Sequence, residues 1–391
     1  MYSDPFGRSL KLVFDDLRAR DLWRARELRR SATMPHVRVE QEDLLSFSSN
    51  DYLGLANDPR VTEAFCEAAR RFGVGSGASH LLGGHTTAHH DLEEALADFV
   101  GTPRALLFST GYMANLALLS VLSGRHHVVF EDRRNHASLI DAVRLADARR
   151  VRYRDVEDLG LKLPGTPQGG LIVSDGVFSM DGDIAAVPTL FECARRHDLG
   201  LILDEAHAFG VVGPEGRGTA AYYGMEQDPR LVRMGTLGKA FGVFGAFVAG
   251  SAWVIEALIQ KARPSIYTTA LPPAVAHAAF VSLAIARSEE YRRVALHERV
   301  MQFQKGVAAL GLSALPSTSA IQGVVFGGAR EALAASAHLR AHGLLVSAVR
   351  PPTVPAGTAR LRITFSAAHS VADVERLLAA LATLPEDLRS C

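Results

Sequence analysis

One lysine, Lys239, stands in the stretch RMGTLGKAFGVFGAF (233–247) among glycines, alanine and phenylalanines, with the nearest other charge six residues back at Arg233. An amine in such surroundings loses the hydration that favours its charged form, and becomes a better nucleophile near neutral pH. Two more stretches end apolar runs in polar groups. LILDEAH (201–207) delivers Asp204 with His207 three residues later, and IVSDGVFSMDGD (172–183) delivers Ser179 amid small and acidic residues.

Each piece alone has a plainer reading. A lysine between glycines is commonly a loop residue whose head reaches water, and an aspartate ending a strand is commonly a cap or turn former. The conjunction is what informs. A carboxylate at the edge of a buried strand needs a cation or donor to meet it. A lysine and a carboxylate together suit pyridoxal phosphate (PLP), whose aldehyde condenses with an amine and whose ring nitrogen needs an acidic partner.

Competing motifs fail on single residues. GTLGKA resembles a phosphate loop at Gly238-Lys239, but Ala240 replaces the required Ser/Thr and Arg233 stands where the first glycine belongs. GVGSGA (73–78) fits a relaxed dinucleotide fingerprint, yet it follows the helical pattern VTEAFCEAARRF rather than a strand. His85, His89 and His90 include an i, i+4 pair that could ligate zinc, without a following glutamate or an evident third ligand. A solvated helix start is expected there, and no metal.

The elements that must position these groups can be read from periodicity. Short apolar runs, RALLFS (104–109), HVVFED (127–132), GLIVSDGVF (170–178), LGLILDEAH (199–207), LVRMGT (231–236) and GAFVAG (245–250), alternate with helical patterns such as AHHDLEEALADFV and VPTLFECARRHD. This predicts an α/β fold, a mainly parallel sheet between helices. In such sheets ligands bind beyond the carboxyl ends of the strands, where Asp204, Thr236 and Ser179 fall. After about residue 285 a long polar helix leads to short strands and to SVADVERLLAAL, where Ser370 and Asp373 are spaced as a capping pair. The expected division is an N-terminal segment with a helix (1–50), a large cofactor-binding domain (51–285) and a smaller C-terminal α+β domain (286–391).

Composition bounds the partners. Lys+Arg and Asp+Glu both total 42 in 391 residues, and no basic stripe with interleaved aromatics appears, so no nucleic-acid partner is expected. Cys66, Cys193 and Cys391 have neither metal-ligand nor disulfide spacing, which suggests a reducing, cytoplasmic setting. The N-terminus has no apolar core of signal-peptide length, and no apolar run reaches the roughly 18 residues of a membrane span.

The ordered segments SFSSNDYLGLANDP (46–59), GSGASHLLGGHTTAHHDLEEALADF (75–99), FSTGYMAN (108–115), NHASLIDA (135–142), DGVFSMDGDIA (175–185), LDEAHAFGVVGPEGRG (203–218), TLGKAFG (236–242), IYTTALPP (266–273) and RPPTVPAGTARLRITFSAAH (350–369) carry a likeness. Together they resemble the α-oxoamine synthases, a family of fold-type I PLP-dependent transferases, over about residues 20–385. The resemblance implies a seven-stranded central sheet and an acyltransferase that joins an amino acid to an acyl thioester with loss of carbon dioxide. The segment RPPTVPAGTARLR is most like the biotin-pathway branch, which uses L-alanine and a pimeloyl thioester of coenzyme A or acyl-carrier protein. A sister branch using glycine and another acyl-CoA is the alternative. The usual His-Asn-Asp near RYRDVEDL (152–159) is missing, and a local loop difference is expected.

The resemblance also implies roles. Lys239 would carry the cofactor and act as acid and base, Asp204 would pair with the ring nitrogen, His207 would bond the phenolic oxygen, and His136 would stack on the ring. Gly111 and Tyr112 amides and the Thr236 hydroxyl would hold the phosphate, with Thr268 reaching it from a neighbouring subunit of a homodimer. Ser179 and Asn50 would lie near the cofactor oxygen and the amino acid. Arg362 would grip the substrate carboxylate, Arg24 and Thr353 match substrate-contacting positions, and Arg360 is expected to be a solvated strand residue.

Overall fold

The structure is a computed structural model that describes residues 6–165 and 169–389; Cys391 lies outside the described residues. Strands β1 (His36–Val39), β2 (Glu42–Ser46), β3 (Arg104–Phe108), β4 (Val128–Asp132), β5 (Arg149–Tyr153), β6 (Leu171–Asp175), β7 (Gly200–Asp204), β8 (Leu231–Thr236) and β9 (Ala246–Gly250) are followed by β10 (Ile321–Gly327), β11 (Leu344–Leu345), β12 (Ser347–Val349) and β13 (Ala359–Thr364). Seven of them form one sheet in the order β3-β9-β8-β7-β6-β4-β5. Only β9 runs against its neighbours β3 and β8; the other pairings are parallel.

The alternation of strand side chains explains why both faces are covered. Val129, Val173, Ile202 and Val232 face a cluster with Leu118 and Leu139, from the helices Gly111–Leu122 and Ala137–Leu145. Phe130, Ile172, Leu201 and Leu203, one step out of phase, face Leu159 and Leu190 from the helices Val156–Lys162 and Val187–Arg196. Strands covered on both sides begin as unbroken apolar runs, VVF in β4, LIV in β6 and AFV in β9, and all five positions of each are buried. Asp175, Asp204 and Thr236 continue the register of the first face and end their strands at the same edge.

Two three-stranded sheets complete the chain, β1-β2-β11 and β10-β13-β12. The N-terminal hairpin β1-β2 thus pairs with a strand some 300 residues later, Leu45 opposite Leu344. The loop after β2 is stitched to the end of β13: the Phe47 carbonyl accepts from both the amide (2.8 Å) and the hydroxyl (2.9 Å) of Thr364, and the Tyr52 carbonyl accepts from the Ala367 amide (2.7 Å). One apolar cluster runs from Leu45 through Phe241 to Leu388, continuous across residue 286. Ser370 and Asp373 form the expected capping box of the helix Val371–Ala382.

One strand is absent from the sequence reading. Residues 152–159, where a local loop difference from the family is expected, contribute to the edge strand β5 and the helix Val156–Lys162. The strand RRVRY has no apolar run to betray it. Its arginines suit an edge position, and Arg150 and Arg152 both pair with the fully buried Glu131 on β4.

The lysine loop after β8 closes on a tight turn in which the Gly242 amide donates to the Lys239 carbonyl (2.8 Å). Gly242 has φ +66, and a Cβ there would fall 2.3 Å from the Ala56 backbone nitrogen. Gly242→Ala should therefore destabilise the fold by at least about 1 kcal/mol from backbone strain alone. Urea denaturation should record a lower midpoint with an unchanged slope; an unchanged midpoint would mean that neither the left-handed backbone at 242 nor the 55–56 segment resists a side chain there.

Candidate active site

The sheet edge brings the sequence-identified groups together. Lys239 Nζ lies 2.9 Å from His207 Nε2, and His207 Nδ1 lies 2.6 Å from the Tyr52 hydroxyl. That hydroxyl is 3.1 Å from Asn50 Oδ1, which also accepts both terminal nitrogens of Arg362 at 3.3 Å. A polar chain of five side chains therefore links Arg362 to Lys239. Arg362 is further fixed by its Nε, which donates to the Ser179 carbonyl (2.7 Å).

Asp204 is buried and held on both oxygens, accepting from the Asn115 side-chain amide (2.8 Å) and from the Ala206 N–H (3.0 Å). Its neighbour Glu205 accepts from the Thr219 amide and hydroxyl and from the Ala220 amide. Those bonds tie the Asp204–His207 turn to the helix Gly218–Tyr222. Burial pushes the Lys239 amine down to about 8, against the opposing pull of Asp204. His207 is driven well below the ordinary histidine range by burial first, then by Lys239 and Arg362. His136 is also lowered, mainly by the protein packed round it, with Asp204 opposing and Lys239 adding to the effect.

The remaining predicted residues surround this centre. Gly111 and Tyr112 open the helix Gly111–Leu122, whose N-cap hydroxyl, Thr110, accepts from the Met113 amide (3.2 Å). The first amides of a helix have no intrahelical partner and point outward with the positive end of the dipole, a ready anion site. Thr236 ends β8, its hydroxyl accepting from the Gly238 amide (3.2 Å) and donating to the Gly245 carbonyl (3.1 Å). Thr268 lines a small pocket with Ser109 and His80. Arg24 donates to the Thr353 hydroxyl (3.3 Å), and the two line a cavity of about 170 Å³ with Met180 and Arg350.

Residues 42–381 match the profile of the family described as aminotransferase class I and II. The 8-amino-7-oxononanoate synthase of Stutzerimonas stutzeri is 55% identical over 367 residues, 93% of this chain and 94% of that protein. That of Pseudomonas aeruginosa is 52% identical over 366 residues, 93% and 91%. The chain belongs to the 8-amino-7-oxononanoate synthase family. Among solved structures, Sphingomonas wittichii serine palmitoyltransferase superposes with a TM-score of 0.91 at 30% identity, covering 98% of each chain. The 8-amino-7-oxononanoate synthase of Francisella tularensis superposes at 0.76 with 31% identity, over 87% of this chain and 97% of that one. Serine palmitoyltransferase from S. paucimobilis, 32% identical with a TM-score of 0.90 over 96% of both chains, was solved with a bound PLP–myriocin aldimine.

The cofactor of this family is PLP, and the donor set of the site fits it: an amine of lowered proton affinity, an anchored carboxylate, two histidines and a helix N-terminus for the phosphate. Buried Asn115 Oδ1 has no partner among the described residues, so the Asp204 side of the site retains an open acceptor.

Three features went beyond the sequence reading. Tyr52 and Asn115 were missed as site residues, although both lie inside the quoted segments; Asn115 follows Gly111 by four positions and so shares its helix face. Arg360 is buried and ion-paired with Asp181, not solvated. A third histidine, His80, does stand beside His85 (Nδ1 to Nδ1, 2.9 Å) and His89. His89 is fully buried rather than at a solvated helix start. Its Nδ1 accepts from the Thr86 amide (3.0 Å) and its Nε2 bonds the Leu271 carbonyl (2.5 Å), which leaves no free nitrogen for a metal.

The pKa of Lys239 sets a pH dependence. Only the uncharged amine attacks the cofactor aldehyde, so PLP uptake by the cofactor-free enzyme should accelerate as pH rises, with a midpoint near 8 instead of an ordinary lysine's 10.5. Stopped-flow absorbance across pH 6 to 11 measures it; a midpoint above 10 would mean that burial does not govern this amine.

Proposed function

We propose that this enzyme condenses L-alanine with a pimeloyl thioester, releasing carbon dioxide and free thiol and yielding 8-amino-7-oxononanoate, a step of biotin biosynthesis. The observation that carries the reading is 51% to 55% identity to 8-amino-7-oxononanoate synthases, across 93% to 95% of this chain. The glycine-using alternative shares the cofactor residues and is not favoured by relatives this similar.

Bound PLP supplies an aldehyde that takes up the alanine amine and a ring that absorbs negative charge from the α-carbon. The protein does the rest. Gly111 and Tyr112 amides and the Thr236 hydroxyl hold the phosphate, and Asp204 keeps a proton on the ring nitrogen. His207 and Ser179 meet the phenolic oxygen, while His136 lies against the ring. Arg362 clamps the alanine carboxylate, with Asn50 alongside, and so fixes which α-carbon bond faces Lys239.

Released from the cofactor, the Lys239 amine removes the α-proton. The α-carbon then bonds to the thioester carbonyl carbon and the thiol leaves. The former alanine carboxyl departs as carbon dioxide, and a proton returns to the α-carbon from Lys239. Arg24 and Thr353, at the mouth formed by the cavity above, bind the acyl chain; its carrier is coenzyme A or acyl-carrier protein. A homodimer belongs to this reading, with Thr268 of one chain reaching the phosphate held by the other. So does a cytoplasmic location, with residues 51–285 as the cofactor domain and 286–391 as its smaller companion. No helix among the described residues is long and apolar enough to cross a membrane.

Thiol release by the PLP-loaded enzyme tests the reaction. Pimeloyl-CoA with L-alanine should release thiol, whereas acetyl-CoA with glycine should not; the reverse pattern would move the enzyme to a sister branch. Lys239→Ala should lose at least roughly a thousandfold in kcat. Arg362→Ala should raise the alanine KM by roughly 10- to 100-fold, the effect of losing charge-assisted bonds; an unchanged KM would remove Arg362 from the carboxylate site.

A further inference from the structure

One buried carboxyl at the centre of the site has no role in the reaction described so far. Asp175 closes β6 as Asp204 closes β7, and the two are register partners on parallel strands. Both therefore lie on the sheet face covered by the helices Gly111–Leu122 and Ala137–Leu145. Asp175 is 2% exposed.

Its hydrogen bonds converge on the loop that carries His136. The Asp175 N–H donates to Asn135 Oδ1 (3.0 Å), the Asn135 side-chain amide donates to the Val173 carbonyl (2.9 Å), and the His136 N–H donates back to Asp175 Oδ1 (3.1 Å). These three bonds latch the end of β6 to the loop after β4. His136 is the N-cap of the helix Ala137–Leu145, and its ring Nδ1 is engaged by the Ser138 hydroxyl (2.7 Å). The residue is thus held at its backbone by Asp175 and at its ring by Ser138. A ring that must lie flat against a planar cofactor gains from both constraints.

The second oxygen, Asp175 Oδ2, is buried without a hydrogen-bond partner among the described residues. An ionised carboxylate is poorly served there, next to Asp204. Burial first, then the charge of Asp204, push the Asp175 carboxyl well above the ordinary carboxylate range, against the His136 amide and Lys239. What the latch requires of Asp175 is the acceptor Oδ1, not a negative charge.

We propose that Asp175 is a positioning residue that latches the backbone of His136 against the cofactor site, through an acceptor oxygen that an amide can replace. The proposal rests on the reading of His136 as the residue beside the PLP ring.

Three variants and their combination test it: D175N, D175A, H136A and D175A/H136A, each loaded with PLP. The readouts are the change in the visible cofactor spectrum on titration with L-alanine, which gives a Kd, and the pH midpoint of the spectrum without substrate. D175A should raise the alanine Kd roughly tenfold, the equivalent of about 1.4 kcal/mol. D175N should stay within about twofold of the unaltered enzyme, with its pH midpoint unmoved, and D175A should add less than about twofold to H136A.

A D175N variant that shifts the pH midpoint, or weakens alanine binding as much as D175A does, overturns the proposal, because the charge would then be what matters. Fully additive losses in D175A/H136A overturn it as well, because Asp175 would not act through His136. Should D175A fail to fold, D175N alone decides between acceptor and charge. An unaltered enzyme that gains no visible band with PLP would instead defeat the proposed function and is distinguishable from either failure of the latch.

Discussion

Everything in the site follows from one constraint: an amine must give up its proton readily although it sits beside a carboxylate that favours keeping it there. Burial lowers the proton affinity of Lys239, and Asp204 works against it. The balance holds because Asp204 spends its oxygens elsewhere, on the Asn115 amide and the Ala206 N–H, leaving Lys239 to meet a histidine. That histidine is itself kept neutral by burial and by the two cations near it. The contact between Lys239 and His207 therefore has a neutral imidazole on one side, whichever form the amine takes.

The fold supplies these groups from opposite directions. Lys239, Asp204 and His207 come from the carboxyl ends of β7 and β8 or the turns that follow them. Asn50, Tyr52 and Arg362 come from the other side, from a loop and a strand that share backbone bonds through Phe47, Thr364 and Ala367. The polar chain from Arg362 to Lys239 crosses between the two sets at the Tyr52–His207 contact. Burial pushes the Tyr52 hydroxyl up to about 12, so it keeps its proton and can serve either neighbour. The apolar cluster running continuously from Leu45 to Leu388 fixes the distance between the two sets, since close-packed interiors yield little.

What the sequence reveals here depends on how local the cause is. The six apolar runs, their helices and the strand-end residues Asp204 and Thr236 are set by short-range pattern, and all lie in regular elements as read. The edge strand β5 escapes because Arg149, Arg150 and Arg152 hide the apolar signal, and Glu131, the partner of Arg150 and Arg152, is supplied by β4. Arg360 was misjudged for a related reason: alternation along β13 gives its face but not the Asp181 carboxylate brought to it from 179 positions away. His89 looked solvated because it begins a helix, whereas the Leu271 carbonyl that covers it lies 182 positions later. Tyr52 and Asn115 likewise owe their place in the site to His207 and Asp204, 155 and 89 positions further along the chain.

Arg362 also acts on the lysine at a distance. The Arg362 guanidinium lowers the proton affinity of both Lys239 and His207, in each case behind the larger effect of burial. With the site free of substrate, that field favours the uncharged amine, which is the form that captures the cofactor aldehyde. In the proposed reaction a substrate carboxylate held by Arg362 would offset the same field, because opposite charges in contact largely cancel at the range of the next residues. Lys239 would then become more basic at the stage when it has to accept a proton. On that reading one side chain, buried within an alternating strand, serves two needs of opposite sign, and substrate occupancy selects between them.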